Sequence, residues 1–374
     1  MKIGIILGNW STHTRPLDFW FNNIFESSRG LTGTELSFVR VSQELKNNGH
    51  DVSMFCAHAQ PDHKPDSWDN IKLYNCEQRF EVVDDSFDCL ISFNEADVFR
   101  GMNQKPLKIM WQMLNDFSYS QDGWEDFVDV GLGVCDEHTK FLRTLVKNAD
   151  KWSTLNLGCD SNWYDTSKKV DGRMIFCSSA DRGLVWALQA FPEIKKRVPN
   201  AHLKVFYHFN YGNMLQIEPN SQEHPHVVEM ANRLRFCKNA MEKLKPLGVE
   251  HLGSVSVNQM IKEMSEAQVL LYPVDTVAFS EGFSLSIMQS HAAGLVPAIA
   301  STDCIGSIYR NSGCIMIDRP IEKNLQSYVD QVVESMTNYD KRKQITDSCI
   351  SFSKNFNWTD IVKKLESVIA NNKK

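Results

Sequence analysis

The sequence predicts an α/β protein made of two Rossmann-like, doubly wound domains facing a central cleft. Three observations carry this expectation. Strand-like and helix-like runs alternate from the first residue, and the same alternation begins afresh past the middle of the chain. The 374 residues also exceed what one core comfortably serves, a domain usually taking about 100 to 200. With 42% hydrophobic and 23% charged residues, 9 Trp and 21 Phe, the chain has ample apolar material to bury, which excludes a disordered or collagen-like polypeptide.

Taken in order, residues 2–7 form an apolar run that is too short for a signal peptide and lacks a small-residue cleavage site, so it reads as a buried first strand. Residues 34–48 set Phe38, Val41 and Leu45 at helical spacing and stop at Asn48-Gly49. Strands follow at 51–56, 88–93, 107–111 and 130–135, with few polar interruptions, as a parallel sheet covered on both faces requires. Turn-rich stretches at 158–162 and 166–172 place a boundary near residue 160, giving domains 1–160 and 161–355. The second alternation has strands at 173–177, 203–207, 269–272, 296–300 and 314–317, with a helix at 181–197 and a long loop at 210–228. Residues 356–374 end the chain as a helix with Trp358, Ile361, Leu365 and Val368 on one face. Two such sheets in tandem would bind ligands at the carboxyl ends of their strands.

A formal net charge of −6 supplies no basic footprint for nucleic acid. No apolar stretch approaches the roughly 18 to 20 residues of a membrane span, so membrane contact is expected to be peripheral at most. The ten cysteines stand singly, without zinc-ligand spacing, so the expectation is reduced core thiols, no metal and a cytoplasmic location. Asn9-Trp10-Ser11 and Asn357-Trp358-Thr359 match the glycosylation acceptor pattern, which without a secretory route is coincidental.

The segment richest in chemistry runs from Ser280 through Glu281, Gly282, Phe283, Ser284 and Leu285 to Gln289 and Gly294, a loop leading into a helix. Gly282 would let the backbone approach a ligand, and the free amides at the helix start, with the positive end of its dipole, suit a diphosphate. Arg182, near the N-terminus of the helix expected at 181–197, is poorly placed for that helix's dipole and well suited to a phosphate.

The 280–294 segment resembles the donor-site motif of GT-B retaining glycosyltransferases of family 4, in which two Glu flank seven residues. Glu281 matches the first, while Gln289 stands where the second is usual. Ser178, Ser179, Arg182 and Gly183 resemble the family's strand-to-helix phosphate loop, with Cys177, Ser178 or Ser179 in place of a further Arg. Gly253 and Val255 lie in a stretch resembling the one that faces the nucleobase, and Gly33, Thr34 and Glu35 resemble the glycine-rich loop on the acceptor side. Asp116 matches half of a His-Asp pair. The resemblance implies an acceptor-side first domain, a donor-side second domain and a final helix that crosses back to the first. It further implies Glu281 as the catalytic residue, with Ser178, Ser179, Arg182, Gly253, Val255, 282–285 and Gln289 holding a UDP-, GDP- or ADP-sugar. The sugar would pass, with retention and without a metal or tightly bound cofactor, to a glycan, lipid-linked or protein acceptor. Gln289 and the lost second cation keep open a non-catalytic relative that binds nucleotide sugar or glycan.

Overall fold

The computed structural model describes residues 1–8, 24–56, 67–102 and 104–373; the Asn9-Trp10-Ser11 motif lies outside them. The chain divides into two compact units, one of Met1–Ser27, Leu31–Gly158 and Phe356–Lys374, the other of Ser28–Gly30 and Cys159–Asn355.

Among the described residues the first unit contains β1 (Lys2–Leu7), α1 (Gly33–Asn47), β2 (Asp51–Cys56), β3 (Ser67–Trp68), β4 (Ile71–Asn75), α2 (Arg79–Val82), β5 (Cys89–Phe93), β6 (Leu107–Trp111), β7 (Val130–Gly133), α3 (Asp136–Arg143) and β8 (Trp152–Thr154). These strands form one sheet in the order β3-β4-β2-β1-β5-β6-β7-β8, parallel except between β3 and β4. All five residues of β5 and of β6 are buried, as strands covered on both faces must be. The sequence reading missed β3, β4 and β8. In β4 the buried Ile71 and Leu73 flank an exposed Lys72, so the apolar run that marks a central strand is absent near the sheet edge.

The second unit contains β9 (Arg173–Phe176), α4 (Leu184–Arg197), β10 (His202–Phe206), α5 (Gly212–Leu215), α6 (Pro225–Leu244), β11 (Val249–Gly253), α7 (Val257–Glu266), β12 (Val269–Tyr272), α8 (Leu285–Ala292), β13 (Val296–Ser301), α9 (Ile305–Tyr309), β14 (Ile315–Asp318), α10 (Ile321–Thr337) and α11 (Tyr339–Ser353). Its sheet is parallel throughout, in the order β11-β10-β9-β12-β13-β14. Lys204, in the middle of β10, has its Nζ 2.8 Å from Glu263 of α7, while Arg173, the first residue of β9, pairs with Glu266 at the end of the same helix. The 210–228 stretch is not one loop. It holds α5, and α6 starts inside it with Pro225 in the first turn, where a missing N–H costs nothing.

The chain then returns to the first unit as α12 (Trp358–Asn371), capped by the Asn357 side chain, which accepts from Asp360 N at 2.8 Å. Trp358, Ile361, Val362, Leu365 and Ile369 are buried. A side chain at Gly158 would meet the Trp358 indole at 2.5 Å, so glycine there lets α12 seat. The helix packs on α1, where Glu366 accepts from Asn48 Nδ2 at 2.8 Å and lies 2.7 Å from His50 Nε2, a structural role for that histidine. Among the described residues no helix is long and apolar enough to cross a membrane.

Candidate active site

In an open parallel sheet, ligands bind where the strand order reverses, because there the loops leaving two adjacent strands part to opposite faces. In the second unit that point lies between β9 and β12. The loop after β9 carries Ser178, Ser179 and Arg182, and the loop after β12 carries Glu281 through Ser284.

The two loops are joined by charge. Arg182 Nη1 lies 2.6 Å from Glu281 Oε2, and Glu281 is only 7% exposed. Burial opposes the Arg182 charge, but Glu281, Tyr272 and Asp181 around it hold the guanidinium more firmly protonated than usual. Tyr272, the fully buried last residue of β12, donates its hydroxyl to the same Glu281 oxygen at 3.1 Å and lies 2.8 Å from Ser178 Oγ. Burial, then the Glu281 carboxylate, pushes its pKa well above the usual value, so it remains a hydroxyl. Ser286 Oγ, in the first turn of α8, donates to Cys177 O at 2.7 Å and pins α8 to the end of β9.

Two further groups hold the backbone. Asp303, just past β13, accepts from Ser280 N at 2.9 Å, Glu281 N at 2.9 Å and Thr276 Oγ1 at 2.8 Å. Tyr309 Oη lies 2.9 Å from Phe283 O and 3.1 Å from Ser284 O. On the other loop, Tyr211 Oη accepts from Ala180 N at 3.2 Å and lies 2.6 Å from Ser179 Oγ and 3.1 Å from Asp181 Oδ1. Sequence reading found none of these partners. Asp303 and Tyr272 had one usable signal, namely that each stands at the carboxyl end of a buried strand.

The structure corrects two local expectations. The helix expected at 181–197 is broken. Ala180–Arg182 form a single 3-10 turn, Gly183 has φ +111°, and α4 begins only at Leu184. A side chain at Gly183 would lie 2.3 Å from Pro273 O, so glycine allows the two loops to touch. Arg182 is therefore turned by its own loop toward Glu281, ahead of the helix proper. Likewise Gly282 does not open α8. The N-cap is Ser284, with φ 63° and ψ 91° and no side-chain cap, so the first amides of α8 receive no capping side chain.

A non-glycine residue in that conformation is strained by about 1 to 3 kcal/mol. Ser284→Gly is therefore expected to stabilise the protein by about 1 kcal/mol, raising Tm by roughly 2–4 °C in a scanning calorimeter; an unchanged or lower Tm would show that the serine is not strained.

Gln289 is half-buried, and its amide makes no hydrogen bond to the described residues. Gly253 ends β11, two strands from β9, and its carbonyl accepts from Tyr207 N at 2.9 Å, with Val255 half-buried beyond it. In the first unit Gly33 starts α1, and Glu35 closes a capping box: its carboxylate accepts from Thr32 N at 2.7 Å while its own N–H reaches Thr32 Oγ1 at 3.3 Å. Thr34 Oγ1 lies 3.5 Å from Asn94 Nδ2 at that unit's own reversal point, between β1 and β5. Asp116 is exposed, accepting from Ser118 N at 3.0 Å and Ser118 Oγ at 2.6 Å. Its loop is held by His138, whose Nδ1 accepts from Val134 N at 3.2 Å. The ring proton must then sit on Nε2, 3.1 Å from Leu114 O. Burial pushes the His138 pKa down to about 4, so the ring is neutral. No group of three or more His, Cys, Asp or Glu among the described residues is arranged to hold a metal ion.

No protein-family profile and no curated protein sequence matches the chain. Solved structures do. Sucrose-phosphate synthase from Thermosynechococcus elongatus is similar at a TM-score of 0.68 and 10% identity, over 99% of each chain. HepE from Anabaena, in complex with UDP-glucose, is similar at 0.68 and 10%, over 99% of this chain and 100% of that one. A glycosyltransferase from Rickettsia africae is similar at 0.66 and 12%, over 99% of this chain and 98% of that one. At such identities the likeness is one of fold, and the fold is GT-B.

Proposed function

We propose that the chain transfers a sugar from a nucleoside-diphosphate sugar to a hydroxyl acceptor, with retention at the anomeric carbon and without a resident metal. The observation that carries this is the Arg182–Glu281 pair beside the uncapped start of α8, at the reversal point of the second sheet. The GT-B fold, which HepE shares while holding UDP-glucose, supports the same reading. Retention and metal independence rest on the family resemblance of the 280–294 segment.

Cleavage of the bond between C1 and the phosphate oxygen leaves its electron pair on the diphosphate and positive charge on the sugar ring. The acceptor oxygen then bonds C1, and its proton passes to the departing phosphate. The two developing charges ask for opposite partners. Arg182 and the amides of residues 282–285 would face the diphosphate, where preorganised donors lower the barrier most. Glu281, opposite in sign, would bind a sugar hydroxyl and balance the ring's charge. Ser178 and Ser179 would add hydroxyl donors, Gln289 would meet the ribose, and the backbone near Gly253 and Val255 would meet the base. Gly33, Thr34, Glu35 and Asp116 belong to the proposed acceptor side, in the first unit. The acceptor classes are a glycan, a lipid-linked saccharide or a protein.

A thermal-shift panel of UDP, GDP and ADP, followed by turnover of the corresponding nucleotide sugars, tests the reading. One nucleotide is expected to raise Tm in a concentration-dependent way, since binding to the native state alone stabilises by mass action. The matching nucleotide sugar is then expected to turn over. Binding without turnover would favour the non-catalytic alternative; neither binding nor turnover would remove both.

A further inference from the structure

We infer that Tyr272 is a positioning residue that decides which oxygen of Glu281 is presented to the donor. The inference rests on reading this site as the donor site and adds a residue to it.

Both contacts to the carboxylate fall on one atom. Arg182 Nη1 at 2.6 Å and Tyr272 Oη at 3.1 Å both approach Glu281 Oε2. An sp² oxygen offers two lone pairs, so these contacts fill Oε2 and leave Oε1 as the acceptor for a sugar hydroxyl. A guanidinium facing a carboxylate alone tends toward the two-pronged geometry that engages both oxygens. The tyrosine hydroxyl opposes that rotation. Without it, Arg182 is free to draw Oε1 away from the ligand.

The hydroxyl is itself oriented. A phenol has one proton, and since a carboxylate accepts only, that proton goes to Glu281; the 2.8 Å contact with Ser178 must then have the serine donating. The relay runs from Ser178 to Tyr272 to Glu281, linking the loop after β9 to the loop after β12. The ring cannot easily leave, being fully buried and packed edge-on against Phe176 at 5.2 Å between centroids. The backbone of Glu281 is fixed separately by Asp303, so loss of the phenol hydroxyl should act on the carboxylate and spare the loop.

The test compares Tyr272→Phe with Tyr328→Phe. Tyr328 is equally buried in the same unit; its hydroxyl donates to Ala298 O at 2.7 Å and also bonds the Tyr272 backbone, so its loss touches the same strand and leaves the Tyr272 hydroxyl in place. Tyr272→Phe is expected to lower kcat about 10- to 100-fold, while affinity for the nucleoside diphosphate stays within about 2-fold. Tyr328→Phe should cost stability and leave kcat in place. A crystal structure of each variant needs no turnover. Arg182 is expected to engage both oxygens of Glu281 in Tyr272→Phe and Oε2 alone in Tyr328→Phe. A contact still confined to Oε2 in Tyr272→Phe overturns the inference, as does a kcat equal to that of the parent. A two-oxygen contact in a protein that turns over no nucleotide sugar leaves the hold on Glu281 intact and removes the transferase reading instead.

Discussion

Arg182→Ala is expected to lower sugar transfer by about 10²- to 10³-fold and to destabilise the protein by about 2–4 kcal/mol. The first effect follows if Arg182 is the cation that meets the leaving diphosphate, since preorganised charge at a departing group is among the larger catalytic terms. The second follows from the pair. Glu281 has a side chain only 9% exposed, and removing its cation leaves a buried carboxylate without compensation. The loss falls below that of a fully buried pair because the Arg182 side chain is 27% exposed. Adding Glu281→Gln to Arg182→Ala should restore part of the lost stability, because the uncompensated charge goes with it, yet restore no activity. Denaturant unfolding of the two single variants and the double variant provides the check. If the double variant is no more stable than Arg182→Ala, the ion pair is not what holds the two loops.

Asp303→Ala should cost a similar amount without touching the ligand directly. One oxygen of this side chain accepts two backbone N–H groups and a hydroxyl, at 2.8 to 2.9 Å. Its removal strands the amides of Ser280 and Glu281, and hydrogen bonds to a charged group contribute about 1.5–3 kcal/mol each. Because water can reach the loosened loop, about 3–4 kcal/mol in all is expected, or a fall of roughly 6–16 °C in Tm. Asp303 also has φ +49°, a conformation that Asp and Asn accept more readily than Ala. Asp303→Asn, which retains an acceptor oxygen and the backbone preference, should therefore lose less than half as much. Calorimetry of the two variants decides the matter, and equal losses would show that the carboxylate oxygen is not the anchor.

Much of this fold was legible because parallel strands covered on both faces are written as unbroken apolar runs. Residues 107–111 and 269–272 read as strands and are strands, each buried at every position. What escaped was local geometry imposed from outside the segment. Nothing in the run from Asp181 to Arg197 says that it breaks at Gly183; the break exists because Pro273 O comes within 2.3 Å of where a side chain would be. The edge strands escaped for the opposite reason, since one exposed face removes the apolar run that betrays a buried strand.

The candidate site divides along the same line. Glu281 and Arg182 were nameable from their segments, because a carboxylate ahead of a helix and a cation in a strand-to-helix turn are local patterns. That they face each other at 2.6 Å was not, because 98 residues lie between them and only the reversal of strand order between β9 and β12 puts their loops side by side. Tyr272, Asp303 and Tyr309 illustrate the limit most plainly. As sequence they are a strand residue, a turn aspartate and a short-helix tyrosine; their polar atoms acquire a task only when neighbouring strands carry them to the same edge. The amino-acid order by itself determined the two doubly wound units and the chemical types available at their loops, since hydrophobic periodicity and helix-end chemistry act over a few residues. The tertiary structure alone decided which of those groups meet, since hydrogen bonds and buried ion pairs depend on distances of a few ångströms between segments that the chain keeps far apart.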